Sequence, residues 1–275
     1  MDLIAVARET LSILAQGRYR APSGRSVTLD LSRCVPGTRT WRPAELEPLV
    51  AAGAPGHSGR GLRPGRPQVE VTGETSAAAA RRLAAEGDPP LVLNFASAVS
   101  VGGGFLRGAR AQEEDLCRAS ALYACLEPQR TYYAANRAAE SELYTDHMIL
   151  SPAVPFFRDD GLALLEAPFL ATVLTAPAPC ARRLSAEEVR ALPATLERRV
   201  ARLLGLCAAL GQRRLVLGAW GCGAFRNDPT RVAEAFARAL ERQGGAFQRV
   251  VFAVWDPRPE APNRRAFQAR LLSAG

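Results

Sequence analysis

Two adjacent glutamates, Glu113 and Glu114, lie where the sequence predicts the first turn of a helix. They follow the glycine run Gly102–Gly104 and its neighbour Phe105 at a short distance along the chain. Glycine gives the backbone access to left-handed conformations and lets a ligand approach it closely. A carboxyl group can donate a proton to a leaving group and later accept one from water. The pattern predicts a site of acid–base chemistry beside a backbone-lined binding surface.

A purely structural interpretation of the two glutamates is also open. Acidic side chains in a first helical turn complement the helix dipole by about 0.3–1 kcal/mol each, and Glu114 could pair with Arg118 one turn further on. A helix N-terminus also favours an ionised carboxylate, whereas a general acid must carry a proton. Burial, or a bound dianion close by, favours the protonated form. We therefore expect a negatively charged substrate to help protonate its own acid.

A second glycine-rich segment, Gly221–Phe225, follows a predicted strand at Leu215–Leu217, just as Gly102–Gly104 follows a predicted buried strand at Leu91–Asn94. Each segment precedes a predicted helix, so each can offer backbone N–H groups and a helix N-terminus to an anion. Neither is a P-loop, and Gly221–Phe225 lacks the third glycine of the dinucleotide fingerprint. Because ligands of parallel sheets bind beyond the carboxyl ends of strands, we expect both segments to line one crevice and grip a diphosphate.

Strand-like and helix-like segments alternate along most of the chain, which predicts an α/β fold with a mixed, mostly parallel sheet. The periodicity predicts a helix over 2–15. Residues 17–67 are rich in Gly, Pro, Arg and Ser, and we interpret them as loops with one short strand near Val27–Leu31. We interpret residues 127–147 as a polar connection.

The length of 275 residues fits one large domain or two small ones, and the hydrophobic content of 48% is sufficient for a packed core. We predict a single catalytic domain over 1–275, with an N-terminal accessory region over 1–68 and a core over 69–275. No hydrophobic stretch is long enough to span a membrane, and the N-terminus lacks the pattern of a signal peptide. We therefore expect a cytoplasmic protein with no membrane partner. Separately, we predict a monomer.

The net charge is +8, and every basic residue is an arginine. Guanidinium groups match phosphate geometry, so the charge fits a polyanionic partner. The arginines are scattered and no DNA-binding motif occurs, so we expect no sequence-specific nucleic acid partner. The six cysteines show no Cys-x-x-Cys spacing, and the only histidines are His57 and His147. We therefore expect no metal site and no cofactor.

The triple glycine Gly102–Gly104, followed by Gln112-Glu113-Glu114, resembles the signature of the bacterial-type poly(ADP-ribose) glycohydrolases, a branch of the macrodomain superfamily. The resemblance implies a macrodomain-like three-layer α/β/α sandwich with an N-terminal helical and loop extension. It implies hydrolysis of the ribose–ribose O-glycosidic bonds of poly(ADP-ribose), releasing ADP-ribose through an oxocarbenium-like transition state. By motif position, Glu114 would be the general acid and base, and Glu113 would hold the terminal ribose. ADP-ribosylated proteins would be substrates.

The same resemblance assigns binding roles to residues around the glutamates. Asn94 would hold the terminal ribose, Phe225 would pack against the ribose and diphosphate, and Glu74 would meet the adenine amino group. The predicted ADP-ribose-binding residues are Asn94, Gly102, Gly103, Gly104, Phe105, Gln112, Gly221, Cys222, Gly223, Ala224, Phe225 and Glu74. One departure is the segment Ala98–Val101, where many members carry an Asn-Pro pair.

Other interpretations remain open from the sequence. Tyr132, Tyr133 and Trp220 could stack on adenine, although such residues more often belong to the core. A non-catalytic ADP-ribose-binding module would need only the glycine segments, and the Glu113–Glu114 pair favours catalysis over that alternative. A nucleic-acid-binding protein is supported only by the net charge.

Overall fold

The computed structural model describes residues 1–52 and 66–272. The helices are α1 (Leu3–Gln16), α2 (Cys34–Gly37), α3 (Pro43–Ala52), α4 (Ser76–Ala85), α5 (Gln112–Ala119), α6 (Leu122–Leu126), α7 (Arg130–Ala138), α8 (Ala186–Ala209), α9 (Pro229–Gln243) and α10 (Pro262–Leu271). The strands are β1 (Arg18–Arg20), β2 (Ser26–Thr28), β3 (Arg39–Trp41), β4 (Gln68–Thr72), β5 (Leu91–Phe95), β6 (Met148–Arg158), β7 (Leu164–Ala176), β8 (Arg214–Leu217) and β9 (Arg249–Ala253). Short 3₁₀ helices occur at Phe105–Arg107 and Gly244–Ala246.

The chain divides into two compact units, and the first is built from Met1–Thr40, Thr75–Ala138 and His147–Ala176. Its strands follow the order β3-β6-β7-β5, with β3 ending at the boundary of the unit. Strand β5 pairs in parallel with β7, whereas β6 and β7 pair antiparallel. Strands β1 and β2 form a separate antiparallel pair.

The N-terminal helix joins the core of the first unit. Asp2 caps α1 by accepting hydrogen bonds from the N–H groups of the first turn, and Gly17 ends the helix in a left-handed conformation. Ile13 of α1 packs in one cluster with Tyr19, Val27 and Phe157, so the β1–β2 pair and β6 share this core. The predicted N-terminal helix is confirmed.

The second unit is built from Trp41–Glu74, Ala139–Asp146 and Pro177–Gly275. Its strands follow the order β8-β9-β4, and both pairings are parallel. Helix α8 begins with a capping box in which the Ser185 hydroxyl accepts from the Glu188 N–H and the Glu188 carboxylate accepts from the Ser185 N–H. The predicted α/β class with a mixed, mostly parallel strand arrangement is confirmed.

Two predictions about the irregular parts of the chain were wrong. Within 127–147, interpreted as a polar connection, the structure contains helix α7. Its buried face consists of Tyr132, Tyr133 and Asn136, without the aliphatic residues that make a helical period obvious. Residues 17–67 were interpreted as loops with one short strand near Val27–Leu31. Strand β2 overlaps that predicted strand, whereas β1, α2, β3 and α3 were not predicted. Pro43 occupies the first turn of α3, where proline is tolerated, whereas Pro48 lies inside the helix, where proline is normally disfavoured. Residues 53–65 of that segment lie outside the described residues.

The boundary predicted between an accessory region over 1–68 and a core over 69–275 stays a prediction, since the units combine segments from both sides of it. No helix among residues 1–52 and 66–272 is long and apolar enough to cross a membrane.

Candidate active site

Strand β5 carries a buried amide at its carboxyl end. The Asn94 side-chain N–H group donates to Thr175 Oγ1 on β7 at 3.1 Å and to Glu113 Oε1 on α5 at 3.2 Å. The Asn94 Oδ1 atom is buried and has no hydrogen-bond partner in the described part of the chain. A buried acceptor without a partner costs free energy, so this oxygen is available to a bound hydroxyl group.

The glycine loop after β5 bends over the two glutamates. Gly102 and Gly103 both have φ of 59°, which favours glycine. A Cβ atom on Gly102 would lie 2.9 Å from the ring of Tyr123, and one on Gly103 would overlap the carboxylate of Glu114. Glycine is therefore required here for close contact between the loop and the glutamates.

The N–H groups of this loop are used differently from the way we predicted. Gly103 N–H donates to the Ser100 carbonyl at 3.0 Å, and Phe105 N–H donates to the Gly102 carbonyl at 3.1 Å. Gly104 N–H donates to Glu114 Oε1 at 2.7 Å. The expectation that Gly102–Gly104 offers its N–H groups to an anion is thus wrong for Gly103 and Gly104, because the loop uses them to fix itself and Glu114.

The first glutamate is fully enclosed. Glu113 Oε1 accepts from Asn94 at 3.2 Å, and Oε2 accepts from Ser97 N–H at 2.7 Å. Burial raises the pKa of Glu113 to about 8, the hydrogen bonds from Ser97 and Asn94 oppose that shift, and the neighbouring charge of Glu114 adds to it. Glu113 therefore keeps a proton at neutral pH, and the pair does not carry two negative charges.

The second glutamate keeps one oxygen free. Glu114 Oε1 accepts from Gly104, but Oε2 is buried and has no hydrogen-bond partner among the residues described. The alternative in which Glu114 pairs with Arg118 is wrong, because Arg118 donates to Asp115 Oδ1 at 2.8 Å instead. An unpaired carboxylate oxygen in a water-poor site is suited to proton transfer.

Two of the predicted binding residues, Gln112 and Phe105, support the structure around the site. Gln112 Oε1 accepts from Phe95 N–H at 2.8 Å, and its amide nitrogen donates to the Leu93 carbonyl at 2.7 Å and to Ser76 Oγ at 3.1 Å. These bonds tie the start of α5 to β5 and α4, which favours a positioning role over the substrate contact that we predicted. Phe105 is buried with its ring 5.0 Å from that of Tyr123, so its side chain belongs to the layer beneath the loop.

Helix α7, which was not predicted from the sequence, supports the start of the glycine loop. The Tyr132 hydroxyl donates to the Ser97 carbonyl at 3.3 Å, and Arg137 donates to the Val99 carbonyl at 2.8 Å. The 3–4 spacing of tyrosine and asparagine on this helix was the only signal for it. Tyr132, Tyr133 and Trp220 are all buried, so the core interpretation holds and stacking on adenine is excluded for them.

The second glycine-rich segment lies in the second unit, after β8. Gly221 has φ of 73°, and a Cβ atom there would lie 2.5 Å from both Ala178 Cβ and Asn227 Nδ2. The N–H groups of Gly223, Ala224 and Phe225 have no acceptor within the described residues, and Gly223 and Ala224 are exposed. Successive free N–H groups of this kind form an anion-binding concavity.

Asn227, which was not among the predicted binding residues, holds this segment in place. Its amide nitrogen donates to the Pro179 carbonyl at 2.7 Å and to the Gly221 carbonyl at 3.2 Å. Phe225 is half-buried, and its ring lies 5.9 Å from that of Tyr144. Burial raises the pKa of Cys222 to about 12, with a further contribution from Asp228, so this thiol stays protonated and is not a nucleophile.

The carboxyl ends of β4 and β9 add a further pair of residues in the second unit. Glu74 follows β4 and is half-buried. Trp255 follows β9, which pairs with β4, and is 56% exposed. Trp255 was not among the binding residues predicted from the sequence. Across residues 1–52 and 66–272, no group of His, Cys, Asp and Glu is arranged to hold a metal ion.

In this α/β protein a pair of buried glutamates lies on one helix under a glycine loop. Both oxygens of Glu113 accept hydrogen bonds, and Glu114 Oε2 has no partner among the residues described. A pair of carboxyl groups in a binding site is the arrangement that glycosidases use. The model of the microbial-type PARG catalytic domain, where PARG is poly(ADP-ribose) glycohydrolase, matches residues 7–159. The chain belongs to this family. A search of curated proteins found no match.

Solved structures of related enzymes agree with this assignment in fold and sequence. The poly(ADP-ribose) glycohydrolase of Thermomonospora curvata is 46% identical, with a TM-score of 0.91 over 98% of this chain and 99% of that one. Its complex with the inhibitor ADP-HPD gives 45% identity and a TM-score of 0.89 over the same shares. The Deinococcus radiodurans enzyme in complex with ADP-ribose is 46% identical, with a TM-score of 0.81 over 90% of this chain and 99% of that one. The predicted macrodomain-like family is confirmed.

Proposed function

We propose that this chain hydrolyses the ribose–ribose O-glycosidic bonds of poly(ADP-ribose) and releases ADP-ribose. Membership of the PARG family supports the substrate and the reaction. The single structural observation that supports catalysis is the free, buried Oε2 of Glu114 beside a glutamate whose oxygens are both occupied. A protein that only bound ADP-ribose would have no need for such an unpaired acid.

The reaction proceeds in two steps. Protonated Glu114 donates its proton to the departing glycosidic oxygen, the C–O bond breaks, and positive charge develops on the ribose as an oxocarbenium-like centre. The resulting carboxylate then accepts a proton from a water molecule as that water adds to the same carbon, which restores Glu114 to its protonated form. Proton transfer of this kind contributes about 10²–10⁴ in rate.

Glu113 and Asn94 position the terminal ribose in this mechanism. Glu113 is neutral at neutral pH, so it does not repel the diphosphate of the substrate, and its carboxyl group contacts a ribose hydroxyl. The free Oδ1 of Asn94 accepts from a second hydroxyl. Holding the ring in a fixed orientation converts binding energy into rate.

The second unit contributes binding elements for the rest of ADP-ribose. The free N–H groups of Gly223, Ala224 and Phe225 donate to the diphosphate, and the ring of Phe225 packs against the adjoining ribose. Glu74 accepts from the adenine amino group, and the exposed ring of Trp255 offers a stacking surface for a base.

The alternative function is a non-catalytic ADP-ribose-binding module, which the free N–H groups of Gly223–Phe225 favour by themselves. Incubating the chain with poly(ADP-ribose) and quantifying free ADP-ribose by chromatography separates the two. We expect release by the parent and loss of release in Glu114→Ala. Binding of ADP-ribose without any release from the polymer would identify the binding module instead.

We further propose that ADP-ribosylated proteins carry the polymer that this chain degrades. A monomeric state and a cytoplasmic location belong to the same proposal. Size-exclusion chromatography with light scattering measures the first, and cell fractionation measures the second.

A further inference from the structure

Arg118 is a fully buried cation on the same helix as the two glutamates. It lies one turn after Glu114, at the spacing where a carboxylate and a guanidinium normally pair. The structure shows a different pairing, since one terminal nitrogen donates both to Asp115 Oδ1 at 2.8 Å and to the Ala109 carbonyl at 2.7 Å. Its Nε and Nη1 atoms are buried and have no partner among the residues described.

In this arrangement Arg118 and Glu114 do not pair, although a guanidinium and a carboxylate attract each other. Arg118 has unused donors, and Glu114 Oε2 is an unused acceptor, both in a buried region where an ion pair is poorly screened. A charge-assisted bond between them would favour ionised Glu114 and occupy the oxygen that the reaction needs. The side chain of Asp115 is 49% exposed and stays hydrated. Asp115 is not the proton donor of the reaction, so it can accept a hydrogen bond from Arg118 without removing a group that the reaction needs.

We propose that Asp115 is a positioning residue: with the Ala109 carbonyl it holds the guanidinium of Arg118 off Glu114, so that Glu114 can take up and deliver its proton. The proposal rests on the proposed glycosidase function of Glu114. It gives a role to an acidic residue of the first helical turn that does not serve as the helix cap.

Other charged and titratable groups around α5 do not substitute for Arg118. No ion pair to Glu114 occurs in the described part of the chain, and Arg158 on β6 pairs with Glu9 on α1 at 2.7 Å. The groups that face the glutamate pair are Cys117 on α5 and Tyr133 on α7, with Tyr123 on α6 beside them. None of these carries a positive charge.

The test is the pH dependence of poly(ADP-ribose) hydrolysis in Asp115→Ala. With Asp115 gone, Arg118 turns to Glu114 and the ionised form of Glu114 is favoured. A neighbouring guanidinium lowers a carboxyl pKa by about 1–3 units, so we expect the limb where activity falls with rising pH to move down by about one pH unit or more. At a fixed pH above that limb, turnover falls about tenfold for each unit of displacement.

Removing the cation provides the matched control. In Asp115→Ala combined with Arg118→Met, nothing remains to pair with Glu114, so the limb should return towards its parental position even if total activity is reduced. A limb that does not move in Asp115→Ala, or that moves equally in the single and double variants, overturns the proposal. Thermal melting establishes that each variant is folded; should Asp115→Ala not fold, Asp115→Asn must show a smaller displacement in the same direction.

The outcome also separates this proposal from the proposed function. A parent chain that releases no ADP-ribose refutes the glycosidase function itself. A parent with normal turnover and an Asp115→Ala variant with a parental pH profile refutes only the role of Asp115.

Discussion

Glu113→Gln should change how the stability of the protein depends on pH. The parent buries a carboxyl group whose pKa is raised to about 8, mainly by burial and in opposition to its hydrogen bonds from Ser97 and Asn94. In the unfolded chain the group returns to its ordinary pKa of 4.5. The folded state therefore holds a proton that the unfolded state releases throughout the interval between these values.

The sign and size of the effect follow from this difference. The stabilisation is fully present below pH 4.5 and is lost as the pH rises to about 8, because the unfolded state binds fewer protons than the folded state. One pKa unit corresponds to about 1.4 kcal/mol. The free energy of unfolding should thus fall by about 1.4 kcal/mol for each pH unit, and by about 5 kcal/mol at most across the window.

Glutamine keeps the shape of Glu113 but cannot titrate. Its single oxygen accepts only one of the two N–H groups that Glu113 serves, so the variant should lose about 1–3 kcal/mol of stability at low pH. The difference in stability between parent and variant should shrink or reverse towards pH 8, because the parent loses its proton-linked stabilisation as the pH rises.

Urea denaturation of parent and variant at pH 5, 6, 7 and 8 measures the effect. Glu187→Gln is the matched control, because Glu187 also lies in a first helical turn but is exposed. The control should follow the parental pH dependence. Equal pH dependence of parent and Glu113→Gln would refute the conclusion that Glu113 is protonated in the folded protein.

The remaining predictions concern the loops and metal ions. Gly103→Ala should reduce turnover by about 10² or more, measured as release of ADP-ribose, because its Cβ overlaps the Glu114 carboxylate. Gly223→Val should weaken ADP-ribose binding in calorimetric titration while leaving the melting temperature nearly unchanged, because a Cβ there meets nothing within 4 Å. Tyr132→Phe should lower the free energy of unfolding by about 1 kcal/mol through loss of the bond to the Ser97 carbonyl. Turnover should be unchanged in EDTA, and a loss that added metal restores would contradict this.

The sequence was sufficient to predict the elements that carry and surround the two glutamates. The apolar run of β5, the glycines after it and the acidic first turn of α5 are local signals, and the structure contains each where it was expected. The capping box of Ser185 and Glu188 and the Asp228–Pro229 start of α9 were predictable for the same reason. Each depends only on neighbouring residues.

The features that distinguish the two glutamates were not predictable, because they depend on contacts between distant segments. Asn94 comes from a strand and Ser97 from the loop after it, and only folding brings both donors to Glu113. The pairing of Arg118 with Asp115 in place of Glu114 is one of two spacings that a helix allows, and Arg118 also donates to the Ala109 carbonyl, which comes from outside the helix.

The directions of the loop N–H groups were also not predictable from the sequence. The glycine content of both segments predicts a flexible backbone but not where each N–H points. In the first segment Gly104 N–H is bound to Glu114, while in the second the N–H groups of Gly223 and Ala224 have no acceptor in the described part of the chain. From their composition, both segments were predicted to bind an anion through their N–H groups.

The most direct test of the central claim compares turnover and binding in Glu114→Gln. We expect hydrolysis of poly(ADP-ribose) to fall by about 10²–10⁴, since the variant cannot transfer a proton, while the dissociation constant for ADP-ribose measured by calorimetry stays within about threefold of the parent, because other groups hold the ligand. Near-parental hydrolysis in a folded Glu114→Gln protein would contradict the assignment of Glu114 as the general acid and base.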